Sequence, residues 1–257
     1  MADNLQILKQ ITDNYDGFNN RDSFSLDKYK IRRLVNDLLI LFFPKYFDHW
    51  DNDEKTFERI RKDLEDEIKK VDVNYLEITG KFINRLPDIQ QKLFKDIQAI
   101  YDGDPSAKTY SEIVLSFPGF LAVFMYRIAH ELYELYVPII PRVICEYAHR
   151  ETGIDINPGA KIGEYFCIDH GTGIVIGETA VVGDHVRMYH GVTLGVRSFR
   201  KDAEGNLIKG GKRHPNVGNN VIIYANATIL GGDTYIEDGS VIPANSLIMS
   251  TPEKYNL

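Results

Sequence analysis

Aliphatic residues return every six positions along residues 154–249. They stand at Ile156, Ile162 and Ile168, then at Ile176, Val182, Met188 and Leu194, then at Val217, Ile223 and Ile229, and last at Ile236, Ile242 and Ile248. A small or polar residue usually follows, as in Ile162-Gly163, Ile176-Gly177, Val182-Gly183, Leu194-Gly195 and Val217-Gly218. Such a period is too long for strand alternation and out of step with a helix. It fits a parallel β-helix of hexapeptides, in which each short strand sends one aliphatic side chain inward and then turns a corner. The rival is an antiparallel β domain with many turns, but alternating strands do not hold so many aliphatics in one six-residue phase.

Upstream, the pattern changes to helical spacing. Leu34, Leu38 and Leu41 mark one helix, and Phe57, Ile60, Leu64 and Ile68 share a face of another that Asp51 or Asn52 can cap. Pro87 reads as the first turn of a third helix, followed by Ile89, Leu93, Ile97 and Ile100. Gly119 to Leu135 and Pro138 to Arg150 read as two more. The expected class is therefore α + β, with an α-helical domain over residues 1–153 and a β-helix domain over 154–257 that carries an inserted loop at 196–216.

The chain has 257 residues and a net charge of −7. That balance argues against a nucleic-acid partner, whose affinity comes from Lys and Arg on phosphates. Its two cysteines, Cys145 and Cys167, form no CxxC pair and no disulfide framework, which suits reduced residues in a cytoplasmic protein. The first residues lack the basic-then-apolar layout of a signal peptide. The most apolar stretch, Phe117 to Ile140, holds Arg127, His130, Glu131 and Glu134, so no membrane span is expected.

The six-residue period breaks in three places, and departures from a repeat's own rule are where chemistry tends to sit. Ile168 and Ile176 are eight residues apart, around Asp169-His170-Gly171-Thr172-Gly173, a bulge able to push His170 out of the wall. Leu194 and Val217 are 23 apart. The excursion between them carries Arg197, Arg200, Lys201, Lys209, Lys212 and Arg213 and ends in Arg213-His214-Pro215. Ile229 to Ile236 adds one residue, with no legible purpose.

The run from Thr152-Gly-Ile-Asp155 to Ile162-Gly, then Ile168-Asp-His-Gly-Thr-Gly-Ile-Val-Ile-Gly-Glu178-Thr-Ala, then Arg213-His-Pro, resembles serine O-acetyltransferase. The likeness reaches upstream through Gly103-Asp-Pro and Phe117-Pro-Gly-Phe to Tyr126-Arg-Ile-Ala-His and covers about residues 101–242. It implies a left-handed β-helix, a hand that runs against the usual crossover rule and that composition could not supply. It also implies acetyl transfer from acetyl-CoA to the hydroxyl of L-serine, giving O-acetylserine for cysteine synthesis. Trimers, often paired as dimers of trimers through the helices, come with the family.

A serine hydroxyl is barely ionised at neutral pH, so its acetylation needs a base, and His170 falls where the family has one. Asp155, 15 residues earlier and close to one coil away, falls on the family's carboxylate partner for that imidazole; the alternative is a cap on the first coil turn. Neither cysteine has a base beside it in sequence, so direct attack without an acetyl-enzyme is expected. Arg213 suits the substrate carboxylate, whose two oxygens its planar fork can match. The resemblance adds His214 to that pocket and gives the ammonium to Asp104 and Asp169. Asp104 also reads as a helix N-cap before Pro105, and Arg213 also reads as one solvated charge of a basic loop. Glu178 could support the site or face outward. The resemblance puts coenzyme A in the groove between adjacent subunits, with Ala225 (in Tyr224-Ala225-Asn226-Ala227) and Gly195 as contacts, and it implies no metal.

Residues 196–212 are longer than in the best-known members, and Asn157 stands where His is frequent. Members with a flexible tail dock a terminal isoleucine into O-acetylserine sulfhydrylase; Leu257 is the nearest equivalent here. The rival readings are another acceptor such as homoserine, a non-catalytic scaffold, and a zinc β-helix carbonic anhydrase built on His185, His190 and His149.

Overall fold

The computed structural model of the chain describes residues 4–17, 24–47 and 53–252. Within them run seven α-helices: α1 (Asn4–Gly17), α2 (Lys28–Phe42), α3 (Asp53–Ile68), α4 (Tyr75–Gly103), α5 (Tyr110–Ser116), α6 (Pro118–Glu134) and α7 (Ile140–Thr152). Asp27 opens α2 by accepting from the Tyr29 and Lys30 amides at 2.9 and 3.2 Å. The inward faces are those that the spacing marks: Leu34 and Leu38 of α2 and Ile60, Leu64 and Ile68 of α3 are all buried. The cap expected from Asp51 or Asn52 lies outside the described residues.

Pro87 is a correction. It does not begin a helix but sits inside α4, which starts at Tyr75 and runs 29 residues. A mid-helix proline removes one backbone hydrogen bond. Burial on both sides of it carries the helix through: Phe82 and Leu86 before, Ile89 and Leu93 after, are all in the core.

No single helix among the described residues is long and apolar enough to cross a membrane; α5 and α6 pass that test only as a pair bent by 73°. The apolar character of α6 has another cause, which is that it packs on two sides. Phe120, Phe124 and Ile128 join the helical core, whereas Ala122, Val123 and Tyr126 join the core of the coil. Tyr126 donates from its hydroxyl to the Ala160 carbonyl at 2.6 Å. Arg127 grips Asp96 of α4 with two bonds of 2.6 and 2.8 Å and donates to the Gly163 carbonyl at 2.7 Å. Asp96 accepts in turn from the Phe166 amide at 2.9 Å. Both side chains are buried, and each charge is met by its counter-ion and by backbone.

After α7, Gly153 takes the left-handed conformation (φ 71°) that ends the helix, and the coil begins. Thirteen strands of two or three residues follow: β1 (Asp155–Ile156), β2 (Lys161–Ile162), β3 (Cys167–Asp169), β4 (Val175–Ile176), β5 (Val181–Val182), β6 (Arg187–Tyr189), β7 (Thr193–Gly195), β8 (Asn216–Val217), β9 (Ile222–Ile223), β10 (Thr228–Leu230), β11 (Tyr235–Ile236), β12 (Val241–Ile242) and β13 (Leu247–Ile248). They form three parallel sheets, the faces of a triangular prism. The first is β1-β4-β7-β10-β13, the second β11-β8-β5-β2 and the third β12-β9-β6-β3. Helices followed by a left-handed parallel β-helix are the class that the repeat and the resemblance imply. The thirteen periodic aliphatics point inward; all are buried except Ile162, which is half-buried at the edge of the stack.

Left-handed residues recur at equivalent corners. Tyr165, His185, Asn220 and Gly239 (φ 54°, 56°, 57° and 73°) turn the chain from the second face to the third. Gly173, Gly191, Asn226 and Asn245 turn it from the third face to the first. Glycine and asparagine tolerate that conformation best.

The three breaks all lie at corners, where added residues leave the ladder in register. The first adds its residues at the third–first corner and the other two at the first–second corner. The long excursion folds back on itself, with the Ile208 amide donating to the Arg200 carbonyl at 3.0 Å and Lys201 bridging Leu207. The single added residue at Gly231-Gly232-Asp233 makes room for the return of that excursion. A Cβ on Gly232 would stand 2.8 Å from the Arg213 nitrogen, and Asp233 accepts from Arg197 at 3.0 Å.

Candidate active site

His170 sits on the third–first corner, between β3 and β4. Its backbone is left-handed (φ 58°), as is that of Gly171 (φ 89°), so the chain is thrown outward at the imidazole. A Cβ on Gly171 would overlap Ile154, so only glycine permits this path. The ring is 76% exposed, turned away from the apolar interior.

Three carboxylates were expected near it. Asp169 is the one in contact: its Oδ1 lies 3.7 Å from His170 Nε2, and its side chain is only 17% exposed. That separation is beyond a hydrogen bond but within Coulombic reach. Asp155 begins β1 on the first face, beside Val175 in the ladder and half-buried. It shares the corner with His170, since the Gly173 amide donates to the Gly153 carbonyl at 2.8 Å and ties the bulge to the start of β1. Asp155 and His170 make no hydrogen bond to each other among the described residues. Asp104 is the C-cap of α4 and not an N-cap; no helix begins at Pro105. Its Oδ1 accepts from the Ser106 amide at 2.8 Å, the hydrogen bond of a tight turn.

Arg213 and His214 end the excursion on the first–second corner, a different edge of the prism from His170. The Arg213 guanidinium is paired with Glu178, whose half-exposed side chain is thereby a partner of the loop. Thr179 Oγ1 accepts from the Arg213 and His214 amides at 2.9 and 3.1 Å. The Thr179 amide donates to His214 Nδ1 at 3.1 Å, which leaves the proton of the neutral ring on Nε2. His214 is buried, and burial, followed by the Arg213 cation, pushes its pKa down to about 4. One chain therefore carries an exposed imidazole on one edge and a buried, neutral imidazole beside an arginine on another.

Both cysteines are buried and free. Burial drives the Cys167 thiol up to about 12 and the Cys145 thiol higher still. Neither is a ready nucleophile at neutral pH. Ala225 lies on the third–first corner, half-buried, with its carbonyl bonded to the Asn245 amide at 2.9 Å. Gly195 ends β7 at the opposite edge of the first face, where its carbonyl accepts from Gly231 at 3.1 Å. His149 is in α7, His185 on the second–third corner and His190 on the third–first corner. Among the described residues no three His, Cys, Asp or Glu side chains converge as a metal cage.

Two features were not visible from spacing. His190 stands directly after Tyr189, the ladder partner of Asp169, and its ring meets His170 edge-on with centroids 5.9 Å apart. Tyr189 and Tyr224 stack along the same edge at 5.1 Å. The shared remainder of the repeat, Ile168-Asp-His against Met188-Tyr-His, was the available signal for the first.

Comparison with known proteins fits this geometry. Residues 58–124 match the family model for the serine acetyltransferase N-terminal region. A plasmid-borne serine acetyltransferase of Synechococcus elongatus is 52% identical over 169 residues, which are 66% of this chain and 53% of that protein. The match thus spans about half the length of that curated relative. Serine acetyltransferase 1 of Entamoeba histolytica, solved in complex with L-cysteine, superposes with a TM-score of 0.73 at 32% identity, covering 95% of this chain and 96% of that one. A serine acetyltransferase solved in complex with CoA superposes at 0.60 with 26% identity, covering 86% of this chain and 95% of that one. With an aliphatic coil, a lifted histidine and a relative matched along almost its whole length, the chain belongs to the serine acetyltransferase family.

Proposed function

We propose that the chain transfers the acetyl group of acetyl-CoA to the hydroxyl of L-serine, releasing O-acetylserine and CoA, as the first committed step toward cysteine. The observation that carries the reading is the exposed His170 ring on its glycine-backed bulge, with Asp169 beside it. The imidazole takes the hydroxyl proton as the serine oxygen attacks the thioester carbonyl; the C–S bond then breaks, and the proton passes to the departing thiolate. Asp169, and Asp155 on the same corner, favour the imidazolium formed on the way. The high thiol pKa of both cysteines supports direct attack over an acetyl-enzyme.

The substrate groups that complete the site sit on two edges of the prism. His170, Asp169 and Asp155 share the third–first edge, whereas Arg213 and His214 occupy the first–second edge. A threefold assembly lays the first–second edge of one chain beside the third–first edge of the next, and L-serine would bind between them. Acetyl-CoA would lie along the same seam, past Ala225 and Gly195. The trimer, its pairing into a dimer of trimers, a cytoplasmic setting and a C-terminal contact with O-acetylserine sulfhydrylase extend this reading from the family. The tail residue Leu257 lies outside the described residues.

The test is thiol release from acetyl-CoA with L-serine, L-homoserine and L-threonine as acceptors, alongside sedimentation of the protein. Preferred turnover of L-serine by a species of three or six chains is expected. Silence with L-serine, or a clear preference for another acceptor, overturns the substrate. An active monomer overturns the shared site.

A further inference from the structure

Asp104 and Asp169 come from different parts of the chain, one at the end of α4 and the other at the end of β3. Two carboxylates can share one ammonium only if the end of α4 is held at a fixed distance from the coil. Arg187 spans that gap. It stands on β6, the ladder partner of Cys167, and its half-buried side chain reaches off the third face to the last turn of α4. Nη1 donates to the Gly103 carbonyl at 2.6 Å and Nη2 to the Ala99 carbonyl at 3.3 Å. The Gly103 carbonyl is one that a helix end leaves without an intrahelical partner, and a cation there also meets the negative end of the helix dipole. Gly103 is what admits the guanidinium, since a Cβ at that position would overlap it.

Asp104 follows directly. Its amide closes the helix on the Ile100 carbonyl at 2.9 Å and its Oδ1 is held by Ser106, while its Oδ2 accepts no hydrogen bond among the described residues. Burial first, and then the Asp169, Asp104 and Asp96 carboxylates against the opposing Arg187 cation, push the Cys167 thiol up, so these charges lie within Coulombic reach of the same side chain.

We propose that Arg187 is a positioning residue for the substrate's amino group: by holding the end of α4 against the coil, it sets Asp104 facing Asp169. The inference rests on the serine reading above and adds to it a residue that never touches the substrate. It also makes Gly103 a requirement of the site, because any side chain there displaces the clamp.

Steady-state kinetics of the full chain with L-serine and acetyl-CoA test it, comparing wild type with Arg187→Met, Arg187→Lys and Gly103→Ala. Arg187→Met should raise the KM for L-serine about tenfold, with kcat and the KM for acetyl-CoA within about twofold. Gly103→Ala should give the same serine-specific rise, because its Cβ would overlap the Arg187 guanidinium. Arg187→Lys, able to keep one of the two bonds, should fall between wild type and Arg187→Met. An unchanged serine KM in Gly103→Ala, or a fall in kcat in place of the KM effect, overturns the inference while wild type still turns over L-serine. If Arg187→Met does not fold, Gly103→Ala decides alone. A wild-type protein inert toward L-serine overturns the functional reading itself, and this inference with it.

Discussion

The imidazole of His214 fills the space above Gly177 that any larger residue would claim. The two are 37 positions apart in the chain and meet because the long excursion returns to the corner that Gly177 begins. Gly177→Ala should therefore push the ring off Thr179 and loosen Arg213 with it. We expect the KM for L-serine to rise about tenfold and the melting temperature to fall by a few degrees. Kinetics together with a thermal melt check this, and unchanged kinetics would detach His214 from the substrate.

His170→Ala should lower kcat by at least about a hundredfold. The ring stands clear of the chain's own core, so the fold should not change. Thiol release and sedimentation of the variant are the measurements, and near-normal turnover would remove the proposed base.

Acid should weaken the fold through His214. In the folded chain its pKa is pushed down from 6.5 to about 4, by burial first and then by the Arg213 cation. Between those values the unfolded state binds more protons than the folded one, so stability rises with pH across that window. The contribution is complete above about pH 6.5 and is lost as pH falls through about 4. Melting temperatures measured from pH 7 to 4 should drop less steeply in His214→Asn than in wild type. Equal slopes would count against a neutral buried ring.

Asp96→Asn should cost about 3–5 kcal/mol, because it leaves the Arg127 guanidinium buried without its counter-charge. Chemical denaturation gives that number directly. A loss below about 1 kcal/mol would mean that water reaches the pair.

The coil was legible because its period is local: each inward aliphatic is named by its own six-residue segment, and burial follows at all of these positions but Ile162. The bulge at His170 was legible for the same reason, as a break in that period. Pro87 misled because proline is a local signal for a first helical turn, whereas the continuation of α4 through it is decided by Phe82, Leu86, Ile89 and Leu93 packing against other helices. The Arg213–Glu178 pair and the Arg187 clamp on Gly103 span 35 and 84 positions and depend on which corners stack, which no single segment records. The extra residue near Gly231 had no visible purpose until the loop that it accommodates was seen resting on it.

The excursion of residues 196–216 leaves and rejoins the prism at one corner, while β7 and β8 on either side of it keep their ladder partners. Growth at that vertex is thereby uncoupled from the winding of the stack. A lineage could lengthen, recharge or trim such an outgrowth, and so retune what stands beside Arg213 and His214, without rebuilding the scaffold beneath it.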